Sequence, residues 1–170
     1  MNFFEPSLRL LCGVAAGTAA LAVAQTAPPA SSPLRCAQLL SADQVKTIAG
    51  PGMEALPPKQ HEAGESECIW RRGSGAASAS LAFRFFDRQA IGGNPVTRTV
   101  DGYFEMMVKA GEEVGDKKRE PVAGVPRAAI IQGNAQFLVV VQRADGVARA
   151  VTGNLNRNQA VALAKVLSAQ

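Results

Sequence analysis

Apolar residues recur along this chain at two spacings, and each change of spacing marks an element. Val45, Ile48 and Ala49 fall on one side of a helix. Ser41 stands ahead of them as a cap, and Gln44 three residues later completes a capping box. Leu40 and Val45 occupy the two hydrophobic-staple positions. Gly50 and Pro51 stop the helix. After a polar, proline-bearing connector, "SECIWRR" reads as a strand, "GSGAAS" as a turn and "ASLAFRFF" as the returning strand, with Leu81, Phe83 and Phe85 on one face. "DRQAIGGN" reads as a loop. Asn94 and Pro95 suit a helix start. Val96, Val100, Tyr103, Phe104, Met107 and Val108 then share a helical face, and Gly111 is expected to end it.

The segment "GEEVGDKKREPVAGVP" is charged and expected to be exposed. Three strands follow: "RAAIIQ", "AQFLVVVQR" and "GVARAVT", joined at Gly133-Asn134 and Asp145-Gly146 by junctions that suit tight hairpins. Phe137 to Val141 is apolar on both faces, which predicts a central strand covered by helices, with its two mixed neighbours outside it. The last helix is capped by Asn156 with Gln159 three residues on. Leu155 and Ala160 form its staple, and Ala160, Leu163, Ala164 and Leu167 its buried stripe. The expected fold class is α+β: an antiparallel sheet of about five strands with helices packed on it, in the order α-β-β-α-β-β-β-α.

The N-terminus departs from this pattern. Arg9 precedes an apolar run from Leu10 to Ala24, about the length of a secretion-signal core and short for a membrane span. Ala22 and Ala24 place small residues where a signal peptidase reads, so residues 1–24 are expected to be a signal peptide cut before Gln25. The alternative is a retained anchor. A lipoprotein anchor is disfavoured because Leu11, not a small residue, precedes Cys12. Residues 25–33, "QTAPPASSP", form a flexible leader, and residues 34–170 a single α+β domain. Removing 24 of 170 residues leaves 146, enough for one domain with a real core. It leaves no transmembrane segment in the mature chain. The expected location is periplasmic or secreted.

Export changes the meaning of the cysteines. Cleavage removes Cys12, leaving Cys36 and Cys68, and a lone pair in an oxidising compartment reads as one structural disulfide. It would pin the first helix to the first strand and leave no thiol free for nucleophilic catalysis.

Candidate chemistry is sparse. His61, the single histidine, lies with Glu62, Glu65, Glu67 and Cys68 in "HEAGESEC", but zinc needs three or four ligands and the cysteine is committed elsewhere. "RRGSGAAS" lacks the lysine of a phosphate loop and runs into a strand, although Arg71 and Arg72 could contact an anionic ligand. Lys117, Lys118 and Arg119 are a second possible anion contact. Without exposed aromatics or a known motif they do not predict nucleic-acid binding. Asp87, Asp101, Glu105, Glu112 and Glu113 could supply a carboxylate pair, but linear sequence cannot bring two of them to one cleft. The Met106-Met107 pair reads as helix packing. No catalytic residue, metal ligand or cofactor is assigned. The net charge of +4 is ordinary surface charge with a mild bias toward anions.

Three features together, "CAQLLSADQVKTIAG", "CIW" and the "PVAGV" turn, resemble small secreted and lipid-anchored bacterial envelope proteins, grouped as domains of unknown function. Some of their relatives have a PsbP-like α/β sandwich. The resemblance spans about residues 34–168 and implies export and a fold, with no catalytic residues to carry over. It leaves three readings. The first is a non-enzymatic envelope binding module engaging a protein or envelope component, the second an exported inhibitor or immunity-type protein blocking a hydrolase, and the third a small lipid or small-molecule carrier. A pocket between the sheet and the second long helix would favour the carrier.

Overall fold

A computed structural model of the chain describes residues 34–73, 78–115 and 117–169. The expected signal peptide and leader, and residues 74–77 of the expected turn, lie outside these. Two helices come first, α1 (Arg35–Leu39) and α2 (Ala42–Ala49). Strands β1 (Glu54–Ala55), β2 (Lys59–Gln60), β3 (Glu65–Arg72) and β4 (Ala79–Asp87) follow. Helices α3 (Arg88–Gly92) and α4 (Val100–Gly115) lead to β5 (Glu120–Val122), β6 (Val125–Gln132), β7 (Gln136–Arg143) and β8 (Gly146–Gly153), and α5 (Arg157–Ser168) closes the domain.

The strands form one sheet in the order β1-β3-β4-β8-β7-β6-β5, and β2 pairs with the other end of β3 beside β1. Neighbours run antiparallel throughout. This overturns the expected five-strand sheet and its α-β-β-α-β-β-β-α order: among the described residues there are eight strands and five helices. The additions are short. β1, β2 and β5 have two or three residues each, too few to show a period of two, and they exist by pairing to β3 and β6. α3 replaces an expected loop because the Asp87 side chain accepts hydrogen bonds from the Gln89 and Ala90 amides.

Four further corrections follow from local geometry. Asn94 does bind the Val96 and Thr97 amides, but the turn does not propagate. α4 starts at Val100, where the Thr99 hydroxyl accepts from the Gly102 amide. Gly111 does not end α4, which runs on to Gly115. The β6–β7 loop spans three residues, with Ala135 in the left-handed region at φ 57°. The tight turn before β8 falls at Ala144-Asp145, so Gly146 is already paired. The capping boxes of Ser41 with Gln44 and Asn156 with Gln159 are both formed.

The sheet separates two apolar layers. On one face, α1, α2 and α5 bury Leu39, Val45, Ile48, Leu163 and Leu167 against Leu81, Phe83, Phe85, Val139 and Val141. On the other, α3 and α4 bury Ile91, Tyr103, Phe104 and Val108 against Phe86, Ala129, Ile131, Val140 and Val147. β7 is indeed covered on both faces. The middle of the sheet, however, is β8, which joins the β3–β4 half to the β5–β7 half.

Cys36 and Cys68 are disulfide-bonded, with Cα atoms 5.8 Å apart. The Cys36 amide also donates to Ser66 Oγ at 3.0 Å, so α1 is held to β3 twice. No helix among the described residues is long and apolar enough to cross a membrane.

Candidate functional site

On the α3/α4 face, the strand register sets out two rows of side chains across the sheet. One runs Glu67, Arg84, Arg149, Val140. The next runs Ile69, Ala82, Val151, Leu138, Ile131. α4 packs on β6, β7 and β8. The β3–β4 end of both rows lies beyond it, and Ile69, Ala82 and Arg84 are partly exposed.

α4 reaches the sheet through glycine. A Cβ on Gly111 would lie 2.4 Å from Leu138 Cδ2 and 3.0 Å from Ile131 Cδ1, so any other residue would have to displace those side chains or the helix. Past this contact a cleft of about 350 Å³ opens between α4 and the sheet. Met107, Gly111 and Val114 of α4 form one side; Ile131, Leu138 and Val151 form the floor. The single charged side chain in its lining is Arg149.

Arg149 is poorly accommodated. It projects beside Arg84 across the β4–β8 pair, and like charges directly opposite destabilise a sheet. Burial depresses its pKa first, the Arg84 guanidinium depresses it further, and Tyr103 and Glu67 oppose the shift. A guanidinium stays charged even so. Among the described residues none gives Arg149 a hydrogen bond or an ion pair.

Arg84, by contrast, makes two ion pairs. Its Nε donates to Glu67 Oε1 at 2.9 Å and its Nη1 to Glu65 Oε1 at 3.2 Å. Glu67 Oε2 also lies 2.9 Å from His61 Nε2. Burial alone would raise the Glu67 pKa, but the hydrogen bonds with Arg84 and His61 hold it below its ordinary 4.5. Burial pushes the Tyr103 phenol up, and Glu65 adds to the shift.

Glu67 therefore carries an acid-dependent share of stability. Its folded pKa is depressed, so the stabilisation is complete above about pH 4.5 and is lost as pH falls through the folded value. Glu67→Gln is expected to lower stability at pH 7 and to flatten the fall below about pH 4.5. Urea unfolding at the two ends of that window checks it; an acid limb as steep as the parent's would place the titration elsewhere.

The residues singled out in the sequence scatter. Arg71 is exposed at the rim of the same sheet face, whereas Arg72 points to the other and donates to the Ala49 and Pro51 carbonyls, satisfying the end of α2. Lys117 and Lys118 are exposed beyond α4 and do not line the cleft. Arg119 folds back on α4, pairing with Glu105 at 2.8 Å and taking Glu112 on its amide. Asp87 caps α3, and Asp101 binds Arg127 and Gln142. The imagined metal cluster is divided: Cys68 lies in the opposite layer, while Glu65 and Glu67 hold Arg84 and His61 bonds Glu67.

Sequence reasoning missed Arg149. The available signal was Val147-Ala148-Arg149-Ala150-Val151, one cation on the apolar-facing side of an alternating strand. It was not singled out, because β8 was expected outside the central strand. The structure thus defines a three-layer domain with a largely apolar cleft whose lining holds one cation, Arg149, without an ion pair among the described residues. Compared with protein-family models, curated proteins and solved structures, the chain matches none.

Proposed function

We propose that the protein is an exported, non-enzymatic binding module of the bacterial envelope, and that the α4–sheet cleft receives a small ligand with an apolar body. Of the three readings open from the sequence, the carrier moves ahead on one observation: the cleft itself, walled by Met107, Val114, Ile131, Leu138 and Val151. At about 350 Å³ it lies at the small end of ligand sites, which span roughly 300–1,000 Å³. That suits a single-chain molecule better than a two-chain lipid. Export is supported by the buried disulfide, by the signal-like N-terminal sequence and by the resemblance to envelope proteins. Among the described residues, Cys36 and Cys68 are committed to each other, and His61 and Glu67 to one network.

Nile red titration tests the reading. The parent protein is expected to bind one equivalent saturably. Val151→Trp, which places a larger ring on the half-buried cleft floor, is expected to weaken binding at least about tenfold while the protein still melts cooperatively. Binding that does not saturate, or that Val151→Trp leaves unchanged in a folded protein, overturns it.

A further inference from the structure

We infer that the ligand of this cleft is a single-chain carboxylate, its carboxyl on Arg149 and its chain along Met107, Gly111, Ile131 and Leu138. The inference rests on the cleft being the binding site and adds the chemistry of the ligand.

The charge pattern selects the headgroup. Arg149 is held beside Arg84 without a counter-charge of its own, and it is the sole charge in an otherwise apolar or uncharged lining. Arg84 cannot serve, because Glu65 and Glu67 already occupy it at 3.2 and 2.9 Å. Arg149 therefore presents to the cleft a guanidinium whose donors no described residue takes up, although Glu65 and Glu67 balance the two arginines in total charge. A guanidinium also matches a carboxylate with two parallel hydrogen bonds. The tail follows from the walls. Gly111 brings α4 close to the sheet, and the helix runs on past it to Gly115, which also lines the cleft. The space left, about 350 Å³, is lined mainly by aliphatic side chains with Asn134 and Gln136 beside them, a volume for one chain.

An unoccupied cation facing a like charge is a local cost that binding relieves. Arg149→Gln is therefore expected to raise the melting temperature of the empty protein while removing the ligand's anchor. A merely structural arginine would lower it.

The experiment is isothermal titration of the full mature chain with decanoate, decanol and decyl phosphate, on the parent and on Arg149→Gln, with circular dichroism as the fold control. Decanoate is expected to bind the parent roughly 10- to 100-fold tighter than decanol, from the charge-assisted hydrogen bonds, and Arg149→Gln is expected to erase that preference. Decanol binding as tightly as decanoate, or a preference that survives Arg149→Gln, overturns the headgroup assignment while leaving the cleft as a binding site. Decyl phosphate binding tighter than decanoate overturns the carboxylate in favour of a phosphate headgroup. Failure of all three to bind a folded parent overturns the cleft reading itself, and this inference with it.

Discussion

Removing the disulfide by the double substitution Cys36→Ala/Cys68→Ala is expected to lower stability by roughly 3–4 kcal/mol, the chain-entropy value for a loop closed across a 32-residue separation. For a domain of this size the melting point should fall by roughly 10 °C. Substitution is the better instrument than reductant, because Cys36 is fully buried and Cys68 nearly so. The folded state should change little. Leu39 and Leu40 remain in the core, and the Cys36 amide keeps its bond to Ser66 Oγ. The loss acts mainly on the unfolded chain, which becomes freer. Urea unfolding should show a lower midpoint with an equal or larger slope. Ligand binding at the α4 cleft should persist, since α1 lies in the opposite layer. An unchanged midpoint would mean that α1 is held by packing alone.

The parts of the fold that could be read from the sequence are those whose cause is local. Ser41 with Gln44 and Asn156 with Gln159 sit three residues apart and build the same cap in any context. Leu81, Phe83 and Phe85 alternate over enough residues for their shared face to show. The rest depends on contacts distant in sequence. β1 and β2 become strands because β3 offers an unpaired edge, and nothing inside Glu54–Ala55 or Lys59–Gln60 could announce it. The place of β8 was illegible for the same reason. Its pairing with β7 is a local hairpin, but its pairing with β4, which makes it central, joins Ser80 to Gly153 across half the chain. Asn94 is the reverse case, a correct local signal that went no further than one turn.

The candidate site inherits that difficulty. Arg71, Arg72, Lys117, Lys118 and Arg119 were conspicuous because they cluster in sequence, and clustering mostly marks solvated or capping positions. Arg149 stands alone between two alanines, and its meaning comes from three facts of tertiary structure: β8 is central, Arg84 lies opposite, and α4 stops over its neighbours. Gly111 was legible as a helix glycine and misread as a terminator. Only the tertiary structure, in which an added Cβ would meet Leu138 Cδ2 at 2.4 Å, reveals it as a close contact between α4 and the sheet.

Phe83→Ala is expected to be the most damaging single truncation, at roughly 3–5 kcal/mol. Phe83 is fully buried on β4, and its cross-strand neighbours on the same face are Cys68 and Ala150. Neither can swing into the space a lost ring leaves: Cys68 is tied to Cys36, and Ala150 has no side chain to extend. The cavity should persist and the cost lie toward the upper end of the range. Phe104→Ala removes the same ring from the other layer, where α4 carries most of the helix contacts and the buried set is smaller. There the helix itself can yield. Hydrogen exchange separates the two cases. In Phe104→Ala the α4 amides should lose protection while those of β4 and β8 keep it, and Nile red binding should weaken. In Phe83→Ala protection should fall across the whole sheet. Equal loss of protection everywhere in both variants would mean that the two layers melt as one unit, and that the cleft is no more mobile than the core beneath it.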